Sequence, residues 1–145
     1  MKRFLATVAA ALSLAGCGGD GNNPVSAEGS RPALTGTGLP NLYISEILPR
    51  RDANGVLTAR IRVCNNGTTG AAASTTYLEH WYDLSYDIHD IYTTNLAAGW
   101  CTYVTSAPLG DNNGAIHSYY AKADEFLVIQ ESNENDNEKE IDVYP

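Results

Sequence analysis

The sequence predicts an all-β protein, a sandwich of two antiparallel sheets built from about seven short strands. Three observations carry this. Short β-prone runs recur between clusters of Gly, Asn, Asp and Pro. Residues 56–63 alternate apolar and polar side chains with a period of two, the mark of a strand with one buried face. No stretch beyond the first residues spaces its apolar side chains as a helix would.

The first residues are set apart. Lys2 and Arg3 precede an apolar stretch at 4–14, then Leu14, Ala15, Gly16 and Cys17. This is the layout of an export signal over residues 1–16. The apolar run is too short for a membrane span, which needs about 20 residues. The ending Leu-Ala-Gly-Cys resembles the bacterial lipobox. That resemblance implies cleavage before Cys17 and a lipid on its sulfur, diacylglycerol with palmitate-like chains. Such chains add roughly 0.8 kcal/mol of membrane affinity per buried methylene. An ordinary export signal with an incidental cysteine is the alternative. Gly18 follows the cysteine, and by resemblance to enterobacterial sorting the absence of Asp there favours the outer membrane. The expected location is the cell envelope, with the chain anchored by lipid.

Removing residues 1–16 leaves 129 of 145 residues, enough for one domain. Loss of Lys2 and Arg3 takes the formal charge from −8 to −10. An acidic balance argues against nucleic acid and against anionic lipid as partners. Cys64 and Cys101 remain besides Cys17. In an exported chain they are expected to pair, which the chain-entropy estimate values at roughly 4 kcal/mol. Two free thiols or metal ligands are the alternative.

Residues 17–38 are rich in Gly, Asn, Ser and Pro and read as a tether. The folded domain is expected over 39–145. Residues 42–48 are β-prone and stop before Pro49. Residues 50–55 read as a turn. In the next strand Leu57, Ala59, Ile61 and Val63 share the buried face, and Thr58, Arg60 and Arg62 the other. Cys64 has the parity of the solvent-facing set. Residues 75–92 are β-prone and aromatic. There His80, Tyr82, Leu84, Tyr86 and Ile88 share one parity, and Glu79, Trp81, Asp83, Asp87 and His89 the other; a turn near Leu84 and Ser85 would reset it. Strands follow at 100–105 and 116–123. Residues 126–129 are short and apolar, 131–138 form an acidic loop, and Ile141, Val143 and Tyr144 end the chain as a last strand.

At this point the residues resemble the CARDB family, the cell-adhesion-related domain found in bacteria. The match runs from Pro40 to the end. Pro40, Asn41 and Leu42 are similar to the family's opening Pro-Asp-Leu. The strand 57–63 followed by Asn65, Asn66, Gly67 and Thr68 resembles its Val-x-Asn-x-Gly-Thr turn, and Leu96 to Gly99 its Leu-Ala-x-Gly turn. Asp124, then Glu131, Ser132, Asn133 and Glu134, then Asp136 and Asn137, resemble its closing motif, the most specific of the four. The resemblance implies an immunoglobulin-like β-sandwich and a role in surface adhesion. The chain departs from the pattern at 76–95, which is longer and more aromatic, and at Asp136, where Asn is usual.

Two sets of residues are candidate sites. Asp124, Glu131, Glu134, Asp136 and Asn137 offer many hard oxygens of the kind calcium takes. The same side chains equally suit turn architecture, bonding nearby backbone. Trp81, Tyr82, Tyr86, Asp83 and Asp87 offer rings and acceptors for an envelope protein or a glycan, or fill the core in part. A transition-metal set from His80, Asp83, Asp87, His89 and Asp90 has opposed parities, and His117 stands alone in sequence. No Gly-x-Ser-x-Gly, His-Glu-x-x-His or P-loop is present. The expected function is therefore non-catalytic, without a required cofactor. A calcium-dependent structural module and a small envelope enzyme or enzyme inhibitor are the alternatives.

Overall fold

The computed structural model describes residues 38–111 and 114–145. The expected leader, the lipidation site Cys17 and all of the tether but Gly38 lie outside the described residues. Seven strands form, and no helix among the described residues. They are β1 (Leu42–Arg51), β2 (Leu57–Asn65), β3 (Ser74–Tyr82), β4 (Ser85–Thr93), β5 (Cys101–Thr105), β6 (His117–Lys122) and β7 (Glu138–Val143). One sheet has the order β1-β2-β5 and the other β4-β3-β6-β7. Every pairing is antiparallel.

The alternation in β2 does what the pattern requires. Leu57, Ala59, Ile61 and Val63 are buried, with Thr58, Arg60 and Arg62 partly exposed on the other side. Facing them from the second sheet are Leu78, Tyr119 and Ala121, joined by Leu42, Ile44 and Ile47 of β1. Arg60 lies over the Tyr103 ring at 3.8 Å on the outer side.

One expectation is corrected and two are made specific. Pro49 does not end β1, which runs on to Arg51 and pairs through Pro49 with Ala59. β1 is an edge strand, where a residue lacking an N–H is tolerated. Residues 126–129 form no strand. Asp124 is buried with φ of 46°, its carboxylate accepts the amides of Val128 (3.3 Å) and Ile129 (2.8 Å), and Leu127 has φ of 51°. The chain therefore knots into a turn that leaves Phe126, Leu127 and Val128 exposed. Finally, Asp83 and Leu84 make a two-residue turn, with Tyr82 paired to Ser85. That resets the parity, so Tyr86 and Ile88 lie on the face opposite His80 and Tyr82.

Cys64 and Cys101 are bonded. They are direct register partners on the neighbouring strands β2 and β5, so the bond staples one sheet and does not cross the core. Cys64 has the outward parity but is only 2 % exposed. Its partner covers it, and so does Ser45, the extra residue of a β1 bulge, whose Oγ lies 3.4 Å from the sulfur.

Candidate functional site

The reset hairpin sorts the predicted aromatic set onto two faces. Trp81 and Tyr86 are opposite each other across β3 and β4 and stack at 4.8 Å, 45 % and 55 % exposed. Glu79 lies on the same outer face and accepts both the Trp81 indole N–H and the Tyr77 hydroxyl, the latter at 3.1 Å. Tyr77 meets Tyr120 edge to face at 6.2 Å. Ile88 and Tyr92 extend the exposed apolar surface along β4. The result is a part-aromatic sheet face edged by Asp90, Glu138, Glu140 and Asp142. Such a face offers stacking area together with acceptors. Burial, with Glu79 beside it, pushes the Tyr77 phenol up to about 12.

Tyr82 and Asp87 are not part of that face. They point to the inner side, where the structure assembles a cluster that no sequence pattern announced. His80 is fully buried and its Nε2 lies 2.9 Å from Nδ1 of His117. His117 is therefore not alone. Nδ1 of His80 faces Asp87 Oδ2 at 3.4 Å, and Nε2 of His117 faces Asp111 Oδ1 at 3.5 Å. Asp111 in turn pairs with Arg51, and the Gly110 amide donates to Asp87 at 2.6 Å. The Tyr119 and Tyr82 rings lie nearly parallel to His80 at 4.4 and 5.0 Å. A pocket of about 200 Å³ opens beside His117, lined also by Arg50, Arg51, Leu57 and Tyr119. Asp83 stands in the hairpin turn. The set His80, Asp83, Asp87, His89 and Asp90 does not converge. Among the described residues no group of three His, Cys, Asp or Glu side chains is placed to hold a metal.

The closing acidic motif forms a clasp. The Glu131 carboxylate accepts the Leu42 amide and the Asn137 side-chain N–H, the latter at 2.8 Å. Burial pushes its pKa up, against the pull of those two donors. Glu134 accepts the Glu131 amide at 2.9 Å, and Asp136 accepts Asn41 Nδ2 at 2.9 Å. Ser132 N donates to the Pro40 carbonyl at 2.9 Å. Most of the hard oxygens are thus engaged by donors from the opening and closing segments. Asp136 Oδ1 and Asn137 Oδ1 remain buried with no hydrogen-bond partner.

These features define a disulfide-stapled β-sandwich in which an Asn, Glu and Asp clasp locks the opening of β1 to the β6–β7 connection. The CARDB family model matches residues 39–141, and the chain belongs to the CARDB family. Among solved structures it is similar to the CARDB domain of the PF1109 protein from Pyrococcus furiosus, crystallised in complex with di-metal ions. That match has a TM-score of 0.51 at 20 % identity and covers 73 % of this chain and 88 % of the other. No curated protein matches the chain.

Proposed function

We propose that this chain is a lipid-anchored envelope lipoprotein whose CARDB domain is a non-catalytic module that binds an envelope protein or glycan. The observation that carries this reading is the exposed Trp81–Tyr86 stack on the outer face of β3 and β4. Its position suits an anchored domain. The chain enters at Gly38, beside the clasp and the β2 end at Asn65. The β3–β4 turn lies at the other end, with Leu57, Leu109 and Asp111. The nine residues of β2 separate the two ends by about 30 Å. A lipid on Cys17 would attach the domain through its clasp end, the end remote from the aromatic stack.

The test compares the full chain with Trp81→Ala and Tyr86→Ala for capture of envelope proteins and cell-wall glycans. Loss of capture with unchanged melting supports the reading. Capture that survives both substitutions removes this face from it.

A second reading, a calcium-dependent structural module, is favoured by the two partnerless oxygens of Asp136 and Asn137, and by the di-metal ions reported with the Pyrococcus furiosus domain. Calcium at 100 times its dissociation constant would stabilise by about 2.7 kcal/mol. A melt that does not move between calcium and chelator sinks it.

A further inference from the structure

We propose that His80 and His117 form one proton-binding site: the buried pair takes up a single proton, shares it across the Nε2–Nδ1 contact, and refuses a second. The argument is a count. Four ring nitrogens make three contacts, with Asp87, with each other, and with Asp111. The first two are hydrogen bonds and need one hydrogen each; in the third, His117 Nε2 faces the Asp111 carboxylate at 3.5 Å, an ion-pair distance that favours a hydrogen there. Two neutral imidazoles bring two, so one end of the chain is left with a lone pair facing a carboxylate. A third hydrogen satisfies all three contacts. A fourth would place two N–H groups against each other at 2.9 Å.

The surroundings agree with a count of one. Asp87 comes from β4 and Asp111 from the β5–β6 connection, so two carboxylates bracket one positive charge. Arg51 at the end of β1 is paired with Asp111, which it holds below the usual carboxylate range. It thus offsets part of that negative charge and disfavours a second cation. Arg50 faces the same pocket. From β6, Tyr119 stays neutral, its phenol pushed up to about 12 by burial. Tyr82 of β3 adds a ring face, and Tyr144 beyond β7 borders the open side of His117. Burial lowers the pKa of His80, against the pull of Asp87. A zinc ion in line between the two nitrogens would hold them about 4 Å apart; at 2.9 Å the gap fits a proton.

The consequence is an acid-sensitive device. Below an unfolded histidine's ordinary value of about 6.5, the unfolded chain carries a proton on each imidazole. The folded pair carries one between them. The folded state then falls one proton behind, and down to the carboxylate range, about pH 4.5, each further unit of acidification raises the unfolding constant tenfold. His80 and Asp87 alternate along their strands with Trp81 and Tyr86, so a second proton would loosen the hairpin that presents the aromatic stack.

The experiment is an imidazole titration of the full chain by nuclear magnetic resonance, followed by equilibrium unfolding at stepped pH. The expected result is that the His80 and His117 signals move together through the uptake of one proton, and that the unfolding constant then rises tenfold per pH unit. In His80→Gln the tenfold slope is lost, because His117 then has no buried imidazole to oppose. Two separate one-proton steps in the folded chain overturn the proposal. So does the absence of any proton uptake by the pair before unfolding, or a metal ion recovered on these nitrogens from the native protein. If His80→Gln does not fold, the titration of the unaltered chain decides alone.

Discussion

The Asn65 side-chain oxygen accepts the backbone amide of Asn41 at 3.0 Å, tying the end of β2 to the residue just before β1. The same oxygen accepts the Gly67 amide at 3.0 Å, while Nδ2 donates to the carbonyls of Thr69 and Leu96 at 2.9 and 3.1 Å. One buried amide therefore serves four backbone groups from three segments. Asn65→Ala leaves all four without that partner. The expected cost is about 3 kcal/mol or more, read from denaturant unfolding. A loss within 1 kcal/mol would show that water replaces the amide.

Gly67 is fixed by space. A Cβ there would lie 2.4 Å from the Asn41 nitrogen and 2.4 Å from the Pro40 carbonyl carbon, both backbone atoms that cannot turn aside. Gly67→Ala is expected to destabilise by about 1–3 kcal/mol through overpacking, with an unchanged denaturant slope. Gly55 gives the contrast. It has open space but φ of 82°, so Gly55→Ala should cost only the left-handed strain of about 1–2 kcal/mol.

Reducing the Cys64–Cys101 bond, or replacing both residues with Ala, should lower stability by up to roughly 4 kcal/mol on the chain-entropy estimate. Because the bond joins register partners within one sheet, the core should stay packed, and the near-ultraviolet dichroism of the folded state should persist. A free thiol at Cys101 in exported protein would contradict the pairing.

Alkali should unfold the protein through its buried phenols. Burial raises Tyr77 and Tyr119 to about 12 and pushes Tyr120 up further. A raised phenol supplies stability that is present below the unfolded value of about 10 and is lost as pH rises through the folded value. Stability should therefore fall steeply above about pH 10, with tyrosinate absorbance and unfolding appearing together. Glu79→Gln should lower the Tyr77 value only in part, since burial is the larger cause.

Much of this fold is legible in the sequence because one strand face is buried at a time. The β2 alternation and the turn at Asp52 to Gly55 follow from local chemistry: Asp52 Oδ1 accepts the Asn54 and Val56 amides. The closing motif was readable as a resemblance and as a choice between calcium ligands and turn architecture. Its oxygens turn out to be mostly engaged with amides. What was not legible depends on contacts distant in sequence. His80 and His117 meet only because β3 and β6 are neighbours in a register that pairs Tyr82 with His117. The aromatic set could not be sorted because a two-residue turn at Asp83 and Leu84 decides which rings face out. Burial of Cys64 depends on a bulge in another strand.

The clasp has a mechanical consequence. If the domain is held at Gly38 by a tether and at the Trp81 end by a partner, the pull runs along the strands. β1 is then loaded against β2 across nine register pairs at once, in shear, and Ser132 and Glu131 add cross-links where the force enters. Hydrogen bonds loaded together resist far better than bonds unzipped one by one. The arrangement that closes the sandwich at one end would also let it bear tension.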